Sequence, residues 1–226
     1  MIEDTSRSES TNSGRPIRVQ AGAVELDGIL SIPAEAHGQV ILAHGIDSLE
    51  RNLPLQAIAQ AFNQQKLATL QVELFTPEER ELDKLIGYFA QNTDIMQQRF
   101  IGMADWLLQN AETEHYSIGY FGTGPCGAAA LIAAAERPDN VRTVVSVGGS
   151  IELASKHLGS VLAPTLLIAA ENDEHAVKAN QEALAALKGQ KEIGTVAGDL
   201  FADQNSVDEV IRLAGAWFTR WLVTIA

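Results

Sequence analysis

The chain has 226 residues, the length of one large domain or at most two small ones. Acidic residues outnumber basic ones by 29 to 16, and the net charge of −13 disfavours binding to nucleic acid or to an anionic membrane. The single cysteine, Cys126, excludes an intramolecular disulfide and a multi-cysteine metal site, and the five histidines show no paired metal-ligand spacing. We therefore expect no metal and no cofactor.

Composition along the chain predicts a polar tail followed by one domain. Residues 1–15 are mostly polar or small and are expected to be disordered, whereas residues 16–226 form a single domain. No apolar run approaches the roughly 18 residues of a membrane span. Acids near the start stand where a signal peptide would carry bases, so a cytoplasmic location is expected.

Hydrophobic periodicity then predicts alternating strands and helices. Residues 17–26 and 28–32 are predicted to form two strands joined by a turn at Asp27-Gly28. Further strands are predicted at 39–43, 67–72, 117–121, 141–147, 165–170 and 192–196. Helices are predicted from Leu55 to Phe62, at 94–110, 127–136 and 175–187, and from Ser206 onward, with 76–84 as a loop or short helix.

This alternation indicates an α/β fold with a mostly parallel, doubly wound sheet, an antiparallel N-terminal edge and helices on both faces. Ligands of such sheets bind at the carboxyl ends of the strands. Four post-strand loops are therefore the candidates for chemistry: 44–46 (HGI), 122–127 (GTGPCG), 171–173 (END) and 198–201 (GDLF).

Four stretches resemble the α/β-hydrolase superfamily, and within it the dienelactone-hydrolase-like proteins. They are LAHGIDS (42–48), GYFGTGPCGAAALIAAAERPD (119–139), APTLLIAAENDEHAV (163–177) and LAGAWFTRWL (213–222). The resemblance implies the α/β-hydrolase fold, with a nucleophile on a sharp strand-to-helix turn and backbone N–H groups that hold the oxyanion. It also implies an Asp after a later strand that orients a His after the last one.

The chain departs from that family pattern where the chemistry would be. Gly124 aligns with the nucleophile and has no reactive side chain, and Pro125 after it has no N–H for an oxyanion hole. The acid survives as Asp173. The last loop reads Ala-Gly-Asp before its Leu-Phe pair, where the family would have a His, and no His follows His175.

Cys126 is the alternative nucleophile. It lies two residues beyond the usual position, and Pro125 at the first helical position would place its thiol at a helix N-terminus, where a thiolate is favoured. The N–H of Gly127 could then replace the one that Pro125 lacks. Against this, a two-residue shift rotates a side chain about 200° around a helix, and cysteine usually packs as a small hydrophobe.

The same loop spells Gly122-x-Gly124-x-x-Gly127, formally a dinucleotide fingerprint. The strand that follows ends in Gly-Gly-Ser with no acid, so a small anion at this helix N-terminus is the better reading. By resemblance, His44 is expected to hold the first loop in place. The predicted binding residues are His44, Gly45, Ile46, Gly124 and Gly127.

Two functions remain open at this point, so whether the chain is an enzyme is uncertain. One is a non-hydrolytic protein that binds a small ligand or a protein partner. The other is an ester or lactone hydrolase that uses Cys126 and Asp173 with a displaced base such as His44. The apolar stripe of the final helix, with Trp217, Phe218 and Trp221, suits either a homodimer or packing on the sheet.

Overall fold

A computed structural model describes residues 14–45 and 54–222, in which one sheet of eight strands runs through the molecule. Of the predicted tail, only residues 14 and 15 are described, and Arg15 is the first residue of the first strand. The strands are β1 (Arg15–Ala21), β2 (Val24–Ser31), β3 (Gly38–His44), β4 (Leu67–Glu73), β5 (Ile118–Thr123), β6 (Thr143–Val147), β7 (Thr165–Ala170) and β8 (Lys191–Val196).

The strand order is β1-β2-β4-β3-β5-β6-β7-β8. β2 runs antiparallel to β1 and β4, and every pair from β4 to β8 is parallel. The predicted α/β sheet with an antiparallel N-terminal edge is confirmed. Because β3 to β8 are parallel, their carboxyl ends meet at one edge of the sheet.

The N-terminal hairpin turns at a different place from the one predicted. Ala21 pairs with Val24, so the turn is Gly22-Ala23, and Gly22 has a φ of +71° that suits a glycine. The predicted turn at Asp27-Gly28 is wrong, because both residues lie within β2 and pair with residues of β1. A Cβ on Gly28 would lie 2.9 Å from a methyl of Val72, so this glycine permits close approach to β4.

The described residues form six α-helices. They are α1 (Leu55–Gln64), α2 (Pro77–Ile86), α3 (Thr93–Gln109), α4 (Pro125–Glu136), α5 (Glu174–Ala186) and α6 (Gln204–Trp221). The segment predicted as loop or short helix is thus α2, because Thr76 and Glu79 form a capping box that starts it. The final helix starts at Gln204, two residues before the predicted Ser206, because Asp203 caps it.

The helices form two hydrophobic layers, one on each face of the sheet. α1 and α6 pack against one face, and α3, α4 and part of α5 against the other. Trp217 on α6 is 4% exposed and its Nε1 donates to Oγ1 of Thr143 at 2.8 Å. This part of the apolar stripe therefore packs on the sheet. None of the described helices is long and apolar enough to cross a membrane.

Candidate functional site

A cavity of about 560 Å³ lies at the carboxyl ends of the parallel strands. All four loops singled out in the sequence reach it, and so does a fifth loop after β6. Met96 on α3 and the segment between α2 and α3 complete its walls. The lining positions are 45, 90, 91, 96, 123–126, 147–150, 173 and 200–202. The signal that points to this fifth loop is the Gly-Gly-Ser directly after β6, since the four loops chosen from the sequence also follow strands directly.

The turn between β5 and α4 is a strand-to-helix elbow centred on Gly124. This residue has a φ of +53° and a ψ of −128°, and its N–H donates to the carbonyl of Val147 at 2.9 Å. An L-residue is strained at this φ. A Cβ built on Gly124 would meet no atom within 4 Å, and Gly124 lines the cavity. A side chain at this position therefore has open space before it.

Replacing Gly124 by alanine should lower the free energy of unfolding by about 1–3 kcal/mol through backbone strain alone. Gly149→Ala is the matched control, because a Cβ there also meets nothing within 4 Å and its φ lies outside the left-handed region. The Gly149→Ala substitution should leave the free energy of unfolding unchanged or raise it slightly. Chemical denaturation of both variants measures the difference, and equal stabilities would contradict a strained elbow.

The glycines on either side of the elbow serve close packing. A Cβ on Gly122 would lie 2.6 Å from the carbonyl oxygen of Cys126, and one on Gly127 would lie 2.3 Å from Oγ of Ser146. The formal dinucleotide pattern is thus explained by the approach of α4 to β5 and β6. α4 begins at Pro125, two residues before the predicted start, because proline suits the first helical position.

Cys126 lies in the floor of the cavity with its side chain in the core. The residue is 2% exposed, and its Sγ is 3.8 Å from Sδ of Met96. A Cβ on Gly45 would lie 3.2 Å from the same sulfur. The thiol is therefore covered by the first loop on one side and by α3 on the other.

Asp173 lies at the rim of the cavity, exposed, as the N-cap of α5. One of its carboxylate oxygens accepts a hydrogen bond from the N–H of Ala176 at 2.9 Å. The helix predicted to begin at His175 thus begins one residue earlier, at Glu174, because Asp173 caps it. His175 is exposed and does not line the cavity.

An exposed side-chain pair joins the loops that follow β7 and β8. Nδ2 of Asn172 donates to a carboxylate oxygen of Asp199 at 2.8 Å. In the family pattern these two loops are joined by the hydrogen bond between the acid and the histidine. Asp199 immediately precedes the Leu-Phe pair, where that histidine is expected. Both loops had been singled out, but the contact between them was not predicted.

His44 ends β3 and is 7% exposed. Burial lowers its pKa from 6.5 to about 4, a hydrogen bond with the backbone of Gly45 raises it, and the charge of Arg80 lowers it further. The imidazole is therefore neutral at neutral pH. His44 pairs in register with Glu73 on β4, whose carboxylate lies 3.0 Å from Nε of Arg80.

Of the residues predicted to bind, Gly45 and Gly124 line the cavity. His44 and Gly127 lie next to lining residues, and Ile46 lies outside the described residues. In the described parts of the chain, no three His, Cys, Asp or Glu residues are grouped so that they could hold a metal ion.

A dienelactone hydrolase of known structure from Anabaena variabilis is 38% identical to this chain in sequence. It has a TM-score of 0.87, and the match covers 92% of this chain and 98% of that one. The chain belongs to the dienelactone-hydrolase-like family of the α/β-hydrolase superfamily. No family model matches the sequence. The esterase domain of a Rhodothermus marinus protein, 15% identical with a TM-score of 0.70, covers 92% of this chain and 98% of its own and shares the fold.

Two curated Mycobacterium tuberculosis proteins are also similar to this dienelactone-hydrolase-like chain. Both carry the description "Putative phosphoribosyl transferase" and are 36% identical over 204 residues. The match covers 89% of this chain but 45% of each relative. The chain thus spans about half the length of these relatives.

Proposed function

We propose that this dienelactone-hydrolase-like chain binds a small ligand in the cavity and does not hydrolyse esters through a nucleophile–His–Asp triad. The observation that carries the proposal is the elbow at Gly124. Its backbone has the positive φ of a sharp strand-to-helix turn, and open space lies where a side chain would project. The position that suits a nucleophile is held by a residue with no side chain.

Two neighbouring groups support the same conclusion. Pro125 follows the elbow and has no N–H to donate to an oxyanion. In the last loop Asp199 accepts from Asn172, so this contact joins an amide to a carboxylate and includes no imidazole. A general base must lie within hydrogen-bond reach of the proton that it takes, and no described His lines the cavity.

The alternative is an ester or lactone hydrolase that uses Cys126. One observation favours it, since Cys126 lines the cavity in the first turn of α4. Its burial, its contact with Met96 and the nearness of Gly45 oppose it, because an attacking thiolate needs access to the substrate. We therefore keep the hydrolase as the second candidate.

Phosphoribosyl transfer, the activity in the description of the two mycobacterial relatives, is not proposed for this chain. A phosphoribosyl group carries phosphate, which proteins commonly bind with Arg or Lys. None of the described residues that line the cavity is Arg, Lys or His. More than half of each relative also lies beyond the match.

The purified chain should hydrolyse p-nitrophenyl acetate no faster than its Cys126→Ala variant does. Met96→Leu is the control, because it changes the packing around the sulfur and leaves the thiol in place. If the wild type and Met96→Leu hydrolyse the ester and Cys126→Ala does not, the chain is a hydrolase that uses Cys126. Saturable hydrolysis that survives in all three proteins would contradict both candidates.

A further inference from the structure

The described residues that line the cavity carry little charge, and that charge is negative. Among the described lining residues, Asp173 and Cys126 are the two with ionisable side chains, and Cys126 is 2% exposed in the core. The carboxylate of Asp173 is thus the one charged side chain that the described lining offers to a ligand.

Asp173 is held in place before any ligand arrives. Its hydrogen bond with the N–H of Ala176 fixes one carboxylate oxygen at the start of α5. The residue is exposed while it lines the cavity, so its carboxylate lies at the rim. A preorganised acceptor loses little entropy when it binds a donor.

The start of α4 compensates little for that negative charge. A helix N-terminus attracts anions through its unpaired N–H groups. Here Pro125 has none, and the N–H groups of Gly127 and Ala128 lie 3.0 and 3.4 Å from the carbonyl of Gly124, to which they donate. The small anion expected from the sequence would therefore find most of these donors absent or engaged.

The rest of the described wall combines apolar and polar groups, and the side chains of Gln91, Thr123 and Ser150 are among the polar ones. Met96, Val147, Leu200 and Phe201 line the cavity together with backbone of the glycine-rich loops. These apolar side chains offer contacts to the apolar body of a ligand, and the polar groups beside them decide its orientation.

We infer that the cavity selects a ligand with an apolar body and a cationic amine, which Asp173 binds at the rim, and that it disfavours carboxylates and phosphates. This inference rests on the proposed ligand-binding function and specifies the chemistry of the ligand. An amine is a donor with a charge opposite to that of Asp173, whereas an anion would meet like charge at the rim.

A matched series of probes tests the inference on the full chain by isothermal titration. The probes are 2-naphthylmethylamine, 2-naphthalenemethanol and 2-naphthoate, which share an aromatic body and differ in charge. The amine should bind about fivefold more tightly than the alcohol, as expected for a solvent-exposed ion pair, and the carboxylate should bind most weakly.

Asp173→Asn should abolish the preference for the amine over the alcohol. It should leave α5 intact, because asparagine is an equally good N-cap. Glu174→Gln is the control, since it removes one negative charge from the neighbouring exposed residue, which does not line the cavity. The Glu174→Gln variant should still bind the amine more tightly than the alcohol.

Tighter binding of the carboxylate would overturn the inference and leave ligand binding standing. An amine preference that survives in Asp173→Asn would also overturn it, since the selecting group would lie elsewhere. Binding of none of the three probes would count against both the inference and the proposed ligand-binding function.

Discussion

Glu79→Ala is expected to lower the free energy of unfolding by about 3 kcal/mol, because it leaves a buried guanidinium without its partner. The side chain of Arg99 is 7% exposed, and its two terminal nitrogens donate to Glu79 at 2.8 and 2.5 Å. Arg99 also donates to the carbonyl of Leu74, just beyond the end of β4. Glu79 further accepts from the N–H of Thr76 in the capping box that starts α2.

Urea denaturation of two further variants separates the ion pair from helix capping. Glu78→Ala removes an exposed acid from the same first turn and should cost less than about 1 kcal/mol. Glu79→Gln keeps an oxygen acceptor for Thr76 but loses the charge, so its stability should lie between those of the two alanine variants. Equal losses in Glu78→Ala and Glu79→Ala would show that Arg99 does not depend on its partner.

Acid should destabilise the protein through His44, by about 3 kcal/mol between pH 6.5 and 4. The unfolded chain binds the imidazole proton near the ordinary pKa of 6.5, whereas burial lowers the pKa in the folded chain to about 4. The unfolded state therefore binds more protons in this window. The stability that neutral His44 contributes is fully present above pH 6.5 and is lost as the pH falls towards 4.

The measurement is the free energy of unfolding against pH for the wild type and His44→Gln. The free energy of unfolding of the wild type should fall relative to that of His44→Gln as the pH falls from 6.5 to 4. Glu73 is present in both proteins, so its effect on the free energy of unfolding largely cancels when one is subtracted from the other. His175→Gln removes an exposed histidine and serves as the control variant. Parallel curves for the wild type and His44→Gln would contradict a buried neutral imidazole.

Much of the fold follows from local pattern. Buried strands such as Thr165–Ala170 read as continuous apolar runs, because parallel strands covered on both faces lose the polar alternation. The hairpin turn was misplaced because Asp27-Gly28 has the composition of a turn, while the glycine serves the approach of β2 to β4. That approach depends on a strand about forty residues further along the chain, so no local pattern reveals it.

The candidate site was predictable as a set of loops and less so as a set of contacts. Placing chemistry after each strand led to the loops at 122–127 and 171–173, because the carboxyl ends of parallel strands share an edge of the sheet. The family resemblance then pointed to Gly124 and Asp173 within them. The pairing of Asn172 with Asp199 was not foreseen, since it joins loops 27 positions apart whose distance is set by the packing of β7 against β8.

By itself the sequence determined the strand and helix alternation, the family resemblance, the acidic charge and the presence of glycine and proline at the elbow. These are properties of composition, period and order along the chain. Only the tertiary structure decided that the space before Gly124 is open, that the sulfur of Cys126 packs against Met96 and that Asp173 stands at the rim of the cavity. The direction of each of these groups depends on elements distant in sequence that pack around it, and no spacing within one segment encodes that packing.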